Sequence, residues 1–136
     1  MRNLLLTGLI IGVVLSIFSY GGLFLAVKFV PFLFVEYNNP LFNSDGGSRD
    51  ILFYTHAFII GFALTFMWHR FKKVFKGHFI LRGLEFGLVY ALVALLPVMW
   101  ITFSSLDITF TMVTSWFLYG LFQATVAGLI LAKLNP

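Results

Sequence analysis

Four polar side chains, Glu85, Tyr90, Tyr119 and Gln123, stand within or beside long apolar stretches, where a polar group has to find a partner or do a job. A carboxylate inside a membrane span is a functional hypothesis by default, a proton or cation site, because an unpaired charge in hydrocarbon is expensive. Glu85, however, follows Arg82 by three residues. An interfacial ion pair with Arg82, or with a lysine of the adjacent loop, is therefore the plainer expectation. Gln123 falls near the middle of its stretch beside Gly120 and Ala124, where an interhelical hydrogen bond would contribute about 1 kcal/mol. Tyr119 and Thr125 are close in sequence and Tyr90 lies at similar depth in the preceding stretch, so a polar binding spot is the alternative.

The remaining chemistry-bearing residues do not form a reacting set. His56 stands near one end of the second stretch, whereas His69 and His78 flank a basic segment at its other end, so no two imidazoles converge on a haem. His69, His78 and Glu85 have neither HExxH spacing nor a cysteine companion, and no metal site is expected. Glu36, Asn43, Asp45 and Asp50 do not match a calcium-loop spacing. The chain has no cysteine, which excludes thiolate metal sites, CxxC redox chemistry and a cysteine nucleophile. Phosphate-binding glycine loops, catalytic serine motifs and dinucleotide fingerprints are absent, so the sequence assigns no catalytic residue and calls for no cofactor.

The elements that carry these residues are hydrophobic. With 60% of 136 residues apolar and 10% charged, the composition is that of a membrane protein. Spans are expected at about 4–27, 51–68, 84–103 and 110–132, each near the length that crosses roughly 30 Å of hydrocarbon. What is left over is too short for a second core, so residues 1–136 read as one domain, an all-α polytopic protein whose four transmembrane helices form a compact up-down bundle. The first span exceeds the apolar core of a secretory signal and no Ala-x-Ala site follows it, so it reads as a retained helix.

Charge sets the orientation. Arg2, Arg70, Lys72, Lys73, Lys76, Arg82 and Lys133 fall on one side; Lys28 and Arg49 share the other with Glu36, Asp45, Asp50 and Asp107. The positive-inside rule then puts both termini and the basic loop 69–82 in the cytoplasm. The net charge of +4 reflects that topology rather than nucleic-acid binding. Arg70, Lys72, Lys73 and Lys76, interleaved with Phe71 and Phe75, suit an anionic leaflet or an acidic partner, and the second span is expected to run on as an amphipathic helix until Gly77. In the outer loop 28–50, Phe29 to Val35 reads as an interfacial segment with Glu36 and Tyr37 at the water edge, and Asn43 to Ser48 as turns. Asp107 is the expected N-cap of the last span, Pro97 is expected to bend the third, Trp100, Tyr54 and Tyr37 suit the outer aromatic belt and Trp68 the inner one, and Trp116 is expected to pack deeper.

Small residues recur four apart in every span: Gly8, Gly12 and Ser16; Ala57, Gly61 and Thr65; Gly83, Gly87 and Ala91; Gly120, Ala124 and Gly128. In lipid, helices associate by close backbone approach, and such stripes permit it, either within the bundle or toward a partner. The glycines of the first, second and last spans, with Arg82-Gly83-Leu84-Glu85-Phe86-Gly87 after the basic loop, resemble small four-helix membrane proteins of unknown function found in bacteria. That resemblance implies the fold and a bacterial cytoplasmic membrane, and no active site; the Phe29 to Tyr37 segment has no counterpart in it. The leading functional expectation is a non-enzymatic accessory, scaffolding or assembly subunit acting through helix contacts, as a homo-oligomer or within a larger membrane complex. An oligomeric transporter or channel lined by Gln123, Tyr119, Tyr90 and Glu85 is the alternative. A quinone- or pigment-binding subunit is the third, located at His56, Tyr54 and Trp100 with Phe29 to Val35 as a lid.

Overall fold

The computed structural model describes residues 2–40, 42 and 50–135. The turns expected at Asn43 to Ser48, and with them Asn43, Asp45 and Arg49, lie outside the described residues. Helix α1 runs Arg2–Phe29, α2 Asp50–Phe71, α3 Phe79–Tyr90, α4 Leu96–Ser105 and α5 Phe110–Leu134, with a 3-10 helix at Pro31–Asn38 and no strand among the described residues. A π-helical turn, Ala91–Leu95, joins α3 to α4, so the third span is continuous from Phe79 to Ser105. Among the described residues, four helical stretches are thus long and apolar enough to cross a membrane.

Two antiparallel pairs, α1 with α2 and α3 with α5, make the closest contacts, and glycine is the reason. A Cβ on Gly61 would lie 2.8 Å from the Gly12 nitrogen and 3.0 Å from its Cα. One on Gly83 would lie 2.7 Å from the Leu129 nitrogen, and one on Gly128 2.6 Å from the Gly83 carbonyl oxygen. Backbone therefore meets backbone in both pairs, the approach on which van der Waals association in lipid depends. Gly8 faces the Phe62 ring, Gly12 the Phe58 ring, and Gly87 the backbone of Thr125. Ala57, Ala91 and Ala124 are buried. Thr65 and Ser16 turn their hydroxyls back onto the carbonyls of Gly61 (2.7 Å) and Gly12 (2.8 Å), so neither leaves a polar group for another helix.

The third span explains why the stripe reaches as far as it does. Four-residue steps on an α-helix drift by about 40° each, which would carry Leu95 off the face that begins at Gly83. The wider π turn takes up that drift, and Leu95 packs into the space left by Gly120 of α5. Pro97, two residues on, cannot donate to Val93, so the irregularity sits where the ladder is already interrupted.

At the end where α2 stops and α3 starts, several expectations are corrected. Helix α2 ends at Phe71, and the amphipathic continuation to Gly77 does not form. The chain folds back instead, using the positive φ of Gly77 (98°), because this buries Phe75 against the bundle. Phe75 stacks on Trp68 at 5.7 Å with ring planes 4° apart, and Phe86 stands edge-on to both. Trp68 is therefore a core residue, 1% exposed, rather than a member of an interfacial belt, and its Nε1 donates to the Asn135 carbonyl at 3.0 Å. Arg82 does not pair with Glu85. Its guanidinium lies 5.1 Å from the Trp68 ring and donates to the Lys72 carbonyl at 3.3 Å, while Glu85 is exposed. The third span starts at Phe79, five residues before the expected position, because the His78 imidazole caps it by accepting from the Ile80 nitrogen.

Candidate ligand groove

The opposite end of the bundle is organised by the 3-10 helix, which straps α1 to the start of α5. Its apolar residues follow a proline that presets the first turn, and Glu36 and Tyr37 carry its long-range bonds. The backbone nitrogen of Thr109 donates to Glu36 Oε2 at 3.1 Å and the Thr109 hydroxyl donates to Glu36 Oε1. The same hydroxyl accepts from the Met112 nitrogen at 3.2 Å, so Thr109, not Asp107, is the N-cap of α5. A carboxylate at this position also faces the positive end of the helix dipole. One residue on, the Tyr37 hydroxyl accepts from Trp116 Nε1 at 2.6 Å. Beneath the strap, Phe42, Met99 and Trp116 pack on Ile108, Met112 and Val113.

Between strap and helices lies a half-open groove of about 530 Å³. Rings supply most of its wall: Phe18 and Tyr20 from α1, Phe53 and Tyr54 from α2, Trp116, Tyr119 and Phe122 from α5, Phe34 and Tyr37 from the strap. Among the described residues that line it there is no Asp, Glu, Lys or Arg. Polar atoms enter at a few places, and most are already engaged. Tyr119 donates to Ser19 Oγ; Gln123, 1% exposed and behind the wall, gives one amide hydrogen each to Tyr119 (3.0 Å) and Ser19 (3.3 Å); Ser19 donates to the Leu15 carbonyl at 2.6 Å. Tyr20 donates to the Tyr54 carbonyl at 2.9 Å and Ser115 to the Met112 carbonyl at 2.7 Å.

The structure thus brings Gln123 and Tyr119 together and adds Ser19, which the four-residue stripe through Ser16 passes over. Ser19 and Tyr20 are adjacent polar residues in the second half of an apolar helix, and that was the available signal. Tyr90 is elsewhere, packed against the hydrophobic core beside Val89. Glu85, Arg70, Lys72, Lys73 and Lys76 belong to the other end, where Arg70 lies 5.4 Å from the Phe66 ring. His56, Tyr54, Leu33 and Phe34 all line the groove, whereas Trp100 is 74% exposed and takes no part. No group of three metal-ligating side chains occurs among the described residues. Comparison of the chain with protein-family models, with curated proteins and with solved structures finds no match.

Proposed function

We propose that this chain is a multi-pass protein of a bacterial cytoplasmic membrane that holds a neutral, lipid-soluble small molecule in the groove, without catalysing a reaction on it. The observation that carries this reading is the groove itself: about 530 Å³, walled by aromatic rings, half open and, among the described residues, without a charged side chain. That size lies within the range of small-molecule sites, and apolar walls with a few placed polar atoms are their usual construction. Both termini and the segment 72–78 face the cytoplasm on the charge argument, with Arg70, Lys73 and Lys76 exposed toward anionic headgroups. The groove then opens in the outer half of the bilayer.

A second reading, an accessory subunit that works by helix contact, has one observation in its favour. Helix α4 contributes no buried residue, and Trp100 and Val93 on the third span are 74% and 72% exposed, leaving a face on which a partner helix could lie. Native mass measurement after gentle detergent extraction separates the readings. A retained small molecule of a few hundred daltons supports the groove. A protein partner with an empty groove supports the accessory role, and a closed homo-oligomer with neither supports transport.

A further inference from the structure

Within that reading, on which this inference rests, we infer that the groove is built for a planar ring carrying carbonyl oxygens, the chemistry of a lipid quinone. The case lies in which hydrogen-bonding groups remain uncommitted. Ser19, Ser115, Tyr20 and Tyr119 have each spent their one hydroxyl hydrogen on another protein atom. Tyr37 has not: its oxygen accepts from Trp116, and its hydrogen has no protein acceptor among the described residues. Accepting from an indole N–H polarises the phenol and makes that hydrogen a better donor. The Tyr54 hydroxyl and the His56 imidazole, both on the lining, are likewise without a partner among the described residues. Each of these three groups carries a hydrogen that it can donate, so a ligand bearing acceptors satisfies all three.

Charge and shape narrow the class. Among the described residues of the lining there is no cation to hold a carboxylate or phosphate and no anion to hold an ammonium, so a fatty acid or a phospholipid headgroup finds no counter-charge there. Ring faces on α1, α2, α5 and the strap offer the offset and edge-on contacts that favour a flat conjugated ring over a saturated chain. The volume accommodates such a ring with the start of a tail, and the open side lets the rest of the tail leave into lipid.

The test uses the full chain in detergent micelles, titrated with a benzoquinone bearing a decyl tail while tryptophan fluorescence is followed, with Trp116→Phe identifying the share of the signal from the groove. Saturable quenching is expected, with decanol competing weakly. Tyr37→Phe and His56→Phe, each confirmed folded by a cooperative melt and an unchanged circular dichroism spectrum, should weaken binding roughly 3- to 10-fold, the worth of one net hydrogen bond. Unchanged affinity in both variants, or decanol competing as well as the quinone, overturns the quinone assignment while leaving a lipid-binding groove. Absence of saturable binding by either probe overturns the groove reading itself.

Discussion

Glu36 and Thr109 lie 73 positions apart, yet the carboxylate of the first receives both the backbone N–H and the hydroxyl of the second. One side chain thereby fixes the strap to the first turn of α5, and the strap forms the roof of the groove. Thr109 serves both sides at once, because its oxygen also caps Met112.

Thr109→Val should remove the cap and one of the two bonds to Glu36, costing about 1 kcal/mol, whereas Thr109→Ser should restore both. Thermal unfolding in detergent measures the difference. A protease site placed in the strap should be cut faster in Thr109→Val alone.

Gly61→Leu should separate α1 from α2, since the first added carbon already falls 2.8 Å from the Gly12 nitrogen. Overpacking of this kind costs about 1–3 kcal/mol. Gly21→Leu provides the control, because a Cβ there meets nothing within 4 Å. Equal melting temperatures for the two variants would contradict the packing described for the first helix pair.

Gln123→Leu should lower stability by about 0.6–1.7 kcal/mol, the observed worth of polar contacts between membrane helices. Because Gln123 gives hydrogens to both Ser19 and Tyr119, a double-mutant cycle between Gln123→Leu and Ser19→Ala should show coupling, and one between Gln123→Leu and Tyr90→Phe should show none.

Trp68→Ala should cost about 3–5 kcal/mol, in the range of large-to-small substitutions in a packed core. It removes a stack on Phe75, an edge contact with Phe86 and the bond to Asn135. Trp68→Phe keeps most of the packing and should cost markedly less by the same melting assay.

The chain has no cysteine, so single cysteines report orientation without background. Lys73→Cys should react with a membrane-impermeant maleimide only after the cells are opened, and Asn39→Cys should react in intact cells. The reverse pattern would invert the topology.

Hydropathy made the four helices legible, because a span needs only length and apolarity to announce itself. The ends were less legible. Phe71, Val74 and Phe75 fit a lipid-lying helix as well as they fit a turn, and what decides is Trp68, seven residues before Phe75, whose ring face Phe75 covers. Local spacing points Glu85 to Arg82 or a loop lysine, but the Trp68 ring and the Lys72 carbonyl, both farther away along the chain, take the Arg82 guanidinium. Gln123 stood out because an amide in hydrocarbon demands a partner; the partner, Ser19, could be reached only through knowledge of which helices are neighbours. The strap was readable as an apolar segment, and its junction with Thr109 was not, since nothing local in Glu36 points 73 residues ahead.

The π turn at Ala91–Leu95 also bears on how this chain tolerates change in length. A π turn holds one residue more than the α-helical turn it replaces, so removing one residue there would leave a regular helix with everything beyond it near its present phase, and Leu95 would keep its notch at Gly120. An added residue, with that extra turn already used, would swing what lies beyond by about 100°. Codon gain within the third span is therefore expected to be counter-selected more sharply than codon loss at the π turn, and the span's phase, rather than the identity of any one leucine, is the inherited quantity.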